Sequence, residues 1–563
     1  MAVRLKNLIS RLIASVLALG CLSATAVTAF ASEPYDSYSY DNWGDAIPSQ
    51  AAYRVEKVCT GKDMGLKRLS DASDKLYIGA NEPMMLSEAS DIYFESVNKE
   101  FWIADTGNNR IIRLNENLQL MGCYKLTKQS DGNETAINSP KGVFVEVKDS
   151  QIYMYIADSG NSRIVKAKVT SETDCEELLV ITMPESELYT SKTFIPEKIL
   201  VDNGGSIYAV CSSVNTGAAQ FDMNGNFKGF YGANRVEATA EVIRQRIWRM
   251  FASNKQLEGM TRSVPVEYKN FDIDADGFIF TCTEAANTST DAVKKLNPAG
   301  YNIWNNDAGN NYHFGDIVNG VVFDATTGTN HTTRLTDIEI SQDGMINVLD
   351  YETGRVFQYD EFCNLVCIFG TRNVTSDQRG GFKAPNAIES NGQNIYIIDG
   401  TKNDVTIYTT TVFGQYVHKA VLLYDEGLYL EAKPYWEEVV KRDGTFTFAY
   451  VGLGKACLNS GDYKQAMEHF KTAYDRYDYN RAFKYYRDEW LRNNFNTVVI
   501  VIVVLVVLIY VLKILKKKGI IKPITIKKKD KKKKAVTLTK RQREDLEKQS
   551  IEDTRNSQEK EGE

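Results

Sequence analysis

The chain has 563 residues, 43% hydrophobic, 25% charged and 11% aromatic, a globular composition with length for two or three domains and too long for one small one. Its net charge of −6 is unevenly placed: residues 1–31 carry three basic and no acidic groups, residues 513–563 carry 18 Lys/Arg against 9 Asp/Glu, and the body between holds 46 basic against 64 acidic residues. An acidic body lacks the basic footprint that phosphate backbones require, so nucleic acid is excluded as a partner; the four histidines (His313, His331, His418, His469) are not at metal-ligand spacing and argue against zinc and His-based catalysis.

At the N-terminus, Arg4, Lys6 and Arg11 precede an apolar run from Leu12 to about Leu22 and then Ala29-Phe30-Ala31. This order predicts a secretory signal over 1–31, cleaved before Ser32. A lipoprotein reading with Cys21 as acceptor lacks the leucine expected three residues earlier. Residues 32–50 form an aromatic N-terminal segment with Tyr35, Tyr38, Tyr40 and Trp43, and Tyr53 beyond. Two readings stay open for it: rings exposed for a saccharide or a partner, or rings packed along the side of the domain that follows.

That domain is repetitive. Phe101 to Ile112 and Met154 to Val165 are near-copies 53 residues apart, each an apolar strand, a polar turn with Gly and Asn suited to positive φ, and a second apolar strand opening with Arg. Weaker copies are Ser206–Val210 with Gln220–Asp222, Gly277–Cys282 with Val293–Leu296, Met345–Asp350 with Arg355–Tyr359, and Asn394–Asp399 with Val405–Tyr408. Short strands before and after most of them give about six four-stranded units, the pattern of a β-propeller. Tyr53 to Cys59 is expected to supply the outer strand that closes the ring with the last blade. Residues about 236–260, with Trp248 and no strand alternation, are expected to be a helical insertion on one face, where insertions commonly carry function. Arg246 and Arg249 within it read as a solvated face. The eight cysteines left after signal removal sit largely in apolar runs and are expected to be mostly reduced and buried; Cys363 and Cys367, placed on one strand, would lie roughly 13 Å apart, too far to bridge.

At Ala104-Asp105 through Arg110-Ile111 and Ala157-Asp158 through Arg163-Ile164 the chain resembles the NHL-repeat family of six-bladed propellers, over residues 51–412. The resemblance implies a structural role, bracing the blade turn, for Asp105, Arg110, Asp158 and Arg163. Over 413–495 a second period appears: Gly427, Ala432, Trp436 and Val439 recur 34 residues later as Gly461, Ala466, Phe470 and Ala473. With Leu453-Gly454 this resembles tetratricopeptide repeats, in which small residues such as Gly454, Gly461, Ala466 and Ala473 let paired helices approach closely. Tyr479 to Phe495 is expected to cap the stack.

Thr497 to Leu512 is sixteen uncharged residues, roughly 24 Å of helix, and a span over 496–515 reaches the thickness of a hydrocarbon core. Lys516-Lys517-Lys518 and the cluster Lys527 to Lys534 follow, a flank that belongs on the cytoplasmic side. The expectation is a single-pass type I protein of the plasma membrane, extracellular except for a basic tail over 516–563. That tail is expected to be disordered; it either draws anionic lipid or serves only as a stop-transfer signal.

Chemistry is sparse. Asp272-Ile273-Asp274-Ala275-Asp276-Gly277 opens like a calcium loop, yet Thr283 stands where a bidentate Glu is required, and a turn between blade strands is the preferred reading. No catalytic triad motif, phosphate loop or metal set is found, and no cofactor is expected. The fold class is therefore mainly β, a six-bladed β-propeller with a small all-α module and one transmembrane helix, and no enzyme activity is expected. The order of its parts resembles membrane-anchored proteins of Gram-positive bacteria associated with sugar uptake. That resemblance implies a scaffold accessory to a membrane complex such as an ABC-type sugar transporter. An extracellular receptor for a saccharide or other small ligand, and a channel-sited metal-dependent lactonase-like or lyase-like enzyme, are the alternatives.

Overall fold

In the computed structural model the described residues are 33–518 apart from 42, 190, 233–266, 285–291, 305–313, 317–320 and 325–328. Five of the six hairpins read from the sequence form the middle of an antiparallel sheet, and in the fourth blade the described residues give three strands with the hairpin at the edge. In the two near-copies, Asp105 pairs opposite Arg110 and Asp158 opposite Arg163. The weaker copies are Ile207–Cys211 with Ala218–Phe221, Ile279–Thr283 with Val293–Leu296, Ile346–Asp350 with Arg355–Tyr359, and Asn394–Asp399 with Asp404–Thr410. An inner strand joins each hairpin: Asp91–Glu95, Pro140–Lys148, Pro196–Val201, Tyr268–Ile273, Leu335–Ile340 and Pro385–Asn391. Consecutive inner strands pack on one another, the sixth returning to the first. The result is a closed six-bladed propeller.

The second strands are sandwiched between neighbouring blades, which explains their unbroken apolar character: Glu100–Asp105, Ile207–Cys211, Ile279–Thr283 and Ile346–Asp350 are buried at every position. Tyr53–Thr60 pairs antiparallel with Asp404–Thr410 as the outer strand of the sixth blade. The first and last parts of the domain thus share one sheet, and the ring is closed as expected.

Two details differ from the sequence reading. In the first two blades the positive φ falls on Asn109 (54°) and Ser162 (53°), while Gly107 and Gly160 serve close approach: a Cβ would stand 2.5 Å from Ser87 Oγ and from Asn138 Cγ respectively. Cys363 is not on a strand but in the turn before Leu365–Phe369, with φ 67°. The eight cysteines among the described residues are free thiols, seven of them buried. The insertion expected at 236–260 lies outside the described residues.

After the last blade come helices α1 (Val412–Asp425), α2 (Tyr429–Arg442), α3 (Thr447–Ser460), α4 (Tyr463–Thr472) and α5 (Arg476–Asn493). The Thr411 hydroxyl caps α1 by accepting from the Gly414 N–H at 3.1 Å, and Asp462 caps α4 by accepting from Gln465. Gly461, at φ 82°, ends α3 in the left-handed conformation. Gly454 sits where a Cβ would come within 2.5 Å of the Phe470 ring, and Ala466 and Ala473 are buried. Gly454 therefore lies where α3 and α4 touch, whereas Gly461 serves the turn between them.

Helix α1 continues from the propeller, and its core continues with it. Tyr53, Leu349, Phe369 and Tyr408 of the blades belong to one apolar cluster with Phe413, Val417, Trp436 and Phe446 of the helices. Asp443 at the end of α2 adds polar ties to the N-terminal segment, accepting from Ser49 Oγ at 2.6 Å and from the Gln50 N–H at 3.1 Å.

The chain divides into two units, residues 1–486 and 487–563. Within the described part of the second, α6 (Phe495–Lys517) is a 23-residue helix with a mean hydropathy of 3.4 in its most apolar stretch and none of that stretch buried in protein. At 1.5 Å per residue it is about 34 Å long, enough to cross a bilayer core.

Candidate functional site

The motif residues are structural. Arg110 Nε donates to Asp105 Oδ2 at 2.6 Å, and its other nitrogens reach Glu82 Oε1 and the carbonyls of Pro83 and Met85. Arg163 repeats this with Asp158 at 2.6 Å and with Glu177 at 2.9 Å. Each Asp turns its second oxygen to the backbone just before the inner strand of its own blade: Asp105 accepts from Ser87 N at 2.7 Å and Asp158 from Asn138 N at 2.8 Å. The same place is filled by Asp350, accepting from Arg334 N at 2.9 Å, and by Asp399, accepting from Lys383 N at 2.6 Å. Neither keeps the Arg pairing of the first two blades, and Asp399 stands opposite Asp404. Arg355, opposite Asp350, turns instead to Asp316 at 2.8 Å.

The propeller axis is where side chains from all six blades can meet, and the structure shows which do. An inner strand is the edge of its sheet, so its outward N–H groups need acceptors. Carboxylates of the preceding blade supply them: Asp91 accepts from Val143 N at 2.8 Å, Asp272 from Ile340 N at 2.7 Å, Asp337 from Ile388 N at 2.7 Å and Glu389 from Phe94 N at 3.1 Å. Each contact staples one blade to the next. Lys198, nearly buried, is the cation among them and pairs with Asp91, while Asn270 donates to Asp337.

Charge is therefore unbalanced along the axis. Burial pushes Asp272 up to about 6 and Asp337 up to about 7, with the nearby Lys198 pulling Asp337 the other way. Burial likewise raises Glu339 and Glu389, and the proximity of Asp272 adds to both shifts. Space is graded as well. The waist around Asp91, Lys198 and Asp337 encloses about 40 Å³, room for little more than water. At one end it opens to a mouth of about 450 Å³ walled by Tyr93, Phe144 and Phe280 and by Asp272, Glu339 and Glu389. That volume falls within the range of small-molecule sites. A recess of about 530 Å³ between the first two blades is larger, but its cations are all engaged, Arg68 with Asp74, Arg113 with Glu100 and Lys75 with Glu172. The mouth is the better candidate.

No protein-family model matches the chain, and no curated protein matches it. Solved structures do resemble it. Virginiamycin B lyase from Staphylococcus aureus aligns with 10% identity and a TM-score of 0.32, covering 67% of this chain and 96% of that one. A streptogramin B lyase gives 10% and 0.33 over 67% and 93%. A luciferin-regenerating enzyme gives 7% and 0.31 over 58% and 92%. The propeller assignment rests on the strand topology described above.

The other sequence candidates resolve as follows. Asp274 to Gly277 is a turn between two strands of the fourth blade, Asp274 Oδ1 accepting from Asp276 N and Phe278 N, and Asp272 points to the axis. Among the described residues no group of three His, Cys, Asp or Glu is arranged to hold a metal ion. The N-terminal rings pack along the propeller side: Tyr35 is buried and donates to the Tyr53 carbonyl, and Tyr38 and Tyr40 donate to Asp316. Trp43 is the exception, 68% exposed and edge-on to Tyr474 of the helical module at 4.7 Å.

Proposed function

We propose that this chain is a membrane-anchored extracellular recognition protein, a scaffold for a membrane complex. The observation that carries the reading is the continuous apolar core joining the sixth blade to α1 and α2. It fuses two repeat architectures, each suited to binding, into one presenting surface. We read the propeller as NHL-like, on the Asp105–Arg110 and Asp158–Arg163 pairs, and the helices as tetratricopeptide-like, on Gly454, Gly461, Ala466 and Ala473. Helix α6 anchors the protein in the plasma membrane, and the lysines after it favour a cytoplasmic tail in contact with anionic lipid. The partner is a membrane protein complex, with an ABC-type sugar transporter the kind that the order of parts suggests.

Mild crosslinking in cells followed by affinity purification tests this. Deleting the propeller would strip half of the shared core from α1, so the control carries α6 and the tail under an unrelated domain. The reading expects a membrane protein enriched over that control; equal recovery from both contradicts it.

The 450 Å³ mouth favours a second reading, a receptor for a small polyhydroxylated or basic ligand. A ligand at 100 times its Kd would stabilise the fold by about 2.7 kcal/mol, which a thermal-shift screen of oligosaccharides and amines detects. We propose binding there in preference to catalysis, because Asp91, Asp272, Asp337 and Glu389 each commit an oxygen to a neighbouring backbone N–H.

A further inference from the structure

The fifth blade carries a file of polar side chains across a buried face, one from each strand. Glu339 stands opposite Asn347, Asn347 opposite Gln358, and Gln358 opposite Cys367. Asn347 and Gln358 are wholly buried and Glu339 nearly so. Such groups are expensive unless paired, and here the pairing forms a directed chain. Asn347 Nδ2 donates to Glu339 Oε2 at 2.7 Å. Gln358 Nε2 donates to Asn347 Oδ1 at 2.9 Å and to the Tyr53 hydroxyl at 2.9 Å. Gln358 Oε1 then meets His418 Nε2 of α1 at 2.7 Å.

The ends of the chain fix its direction. Glu339 accepts from Asn347 Nδ2, which leaves the Asn347 oxygen to Gln358. Gln358 in turn has only its oxygen left for His418, whose Nε2 must carry the proton. The other ring nitrogen, Nδ1, lies 3.4 Å from Asp343 Oδ2, and Asp343 also accepts from Ser341 Oγ. Around Glu339 stand the Ser390 hydroxyl, which donates to its Oε1, and the carboxylates of Asp272, Glu389 and Asp343. Around His418 stand Asp343, Gln358 and the Tyr53 ring at 5.8 Å.

We propose that this file couples the channel mouth to the helical module: the charge on Glu339 orders Asn347 and Gln358 and, through them, sets how firmly His418 holds α1 to the fifth blade. Glu339 lines the mouth, whereas His418 sits where the helices dock, so the two ends are distinct sites joined by a contiguous physical network. Neutralising Glu339, by a proton or by a cation entering the mouth, weakens it as the acceptor that orients the file, and a proton also adds an O–H donor there. Chains of hydrogen bonds in a low-dielectric interior polarise one another, so the effect is felt at the far end. The proposal stands on this network alone and does not require that the mouth have a ligand.

With only four histidines in the chain, imidazole NMR on the full-length protein in detergent micelles can read His418 directly, His418→Gln supplying the assignment. Glu339→Gln is expected to displace the His418 resonances, and Asn347→Ala is expected to abolish that response. Unchanged His418 resonances in Glu339→Gln, or a response that persists undiminished in the Asn347→Ala background, overturns the proposal. Backbone hydrogen exchange on Glu339→Gln alone gives a second reading that needs no Asn347 variant. Several-fold faster exchange over 412–425 supports the coupling, and a change confined to the fifth and sixth blades contradicts it.

Discussion

Arg110 and Asp105 face each other across the first blade at 2.6 Å, and no solvent reaches either side chain. Removing Arg110 leaves the Asp105 carboxylate buried without its cation. Arg110→Ala is expected to cost about 3–5 kcal/mol, whereas replacing both residues by apolar ones of similar volume is expected to cost far less. Urea unfolding of the single and double variants checks this. A single variant within 1 kcal/mol of the parent would show that the pair does not brace the blade.

Gly452 in α3 touches Trp436 in α2 so closely that a Cβ would fall 2.1 Å from the indole Nε1. Trp436 is itself fully buried between propeller and helices and has little room to yield. Gly452→Ala is therefore expected to destabilise by roughly 1–3 kcal/mol through overpacking, although alanine favours helix. Gly461→Ala meets no atom within 4 Å and should cost about 1 kcal/mol through its positive φ. The order of the two thermal shifts is the test.

Stability should fall as pH rises across neutrality. Asp272 and Asp337 hold their protons in the folded state up to about 6 and 7, and Asp425, buried near Asp360, up to about 8. In the unfolded chain the same groups ionise near 4. The folded state thus binds more protons between those values. The stability they contribute is full below the unfolded pKa and is lost as pH rises through the folded one. Melting curves should show a higher Tm at pH 5 than at pH 8; the reverse order would mean that the axis carboxylates are ionised at little cost.

What was legible in the sequence follows from which faces are buried. The second strands, covered on both sides by neighbouring blades, read as mostly apolar runs, and five of the six were found with ends correct to a residue or two, the other beginning at Gln151, three residues ahead of the repeat. The ring-closing strand from Tyr53 was also visible, since an apolar strand stands ahead of the first complete hairpin and the last lacks an outer partner. The axis was not visible. Asp272, Asp337, Glu339 and Glu389 sit at alternate positions among apolar neighbours, a pattern that a solvent-facing strand shows equally well. Asn347 and Gln358 were hidden for the same reason: period two identifies a strand but does not say whether its polar side meets water or the next blade. Cys363 was placed on a strand because its neighbours are apolar, whereas the Asp360 side chain, accepting from the Phe362 and Asn364 N–H groups, bends the chain into a turn there.

The proposed arrangement has a recognition body outside the membrane and a basic tail within. The thiols of the described residues are buried or half-buried, so introduced cysteines can report it: Ser376→Cys on an exposed turn of the propeller and Ser550→Cys in the tail. Intact cells treated with a membrane-impermeant maleimide should label the first at once and the second only after permeabilisation. Labelling of Ser550→Cys in intact cells, with Ser376→Cys protected, would contradict the account.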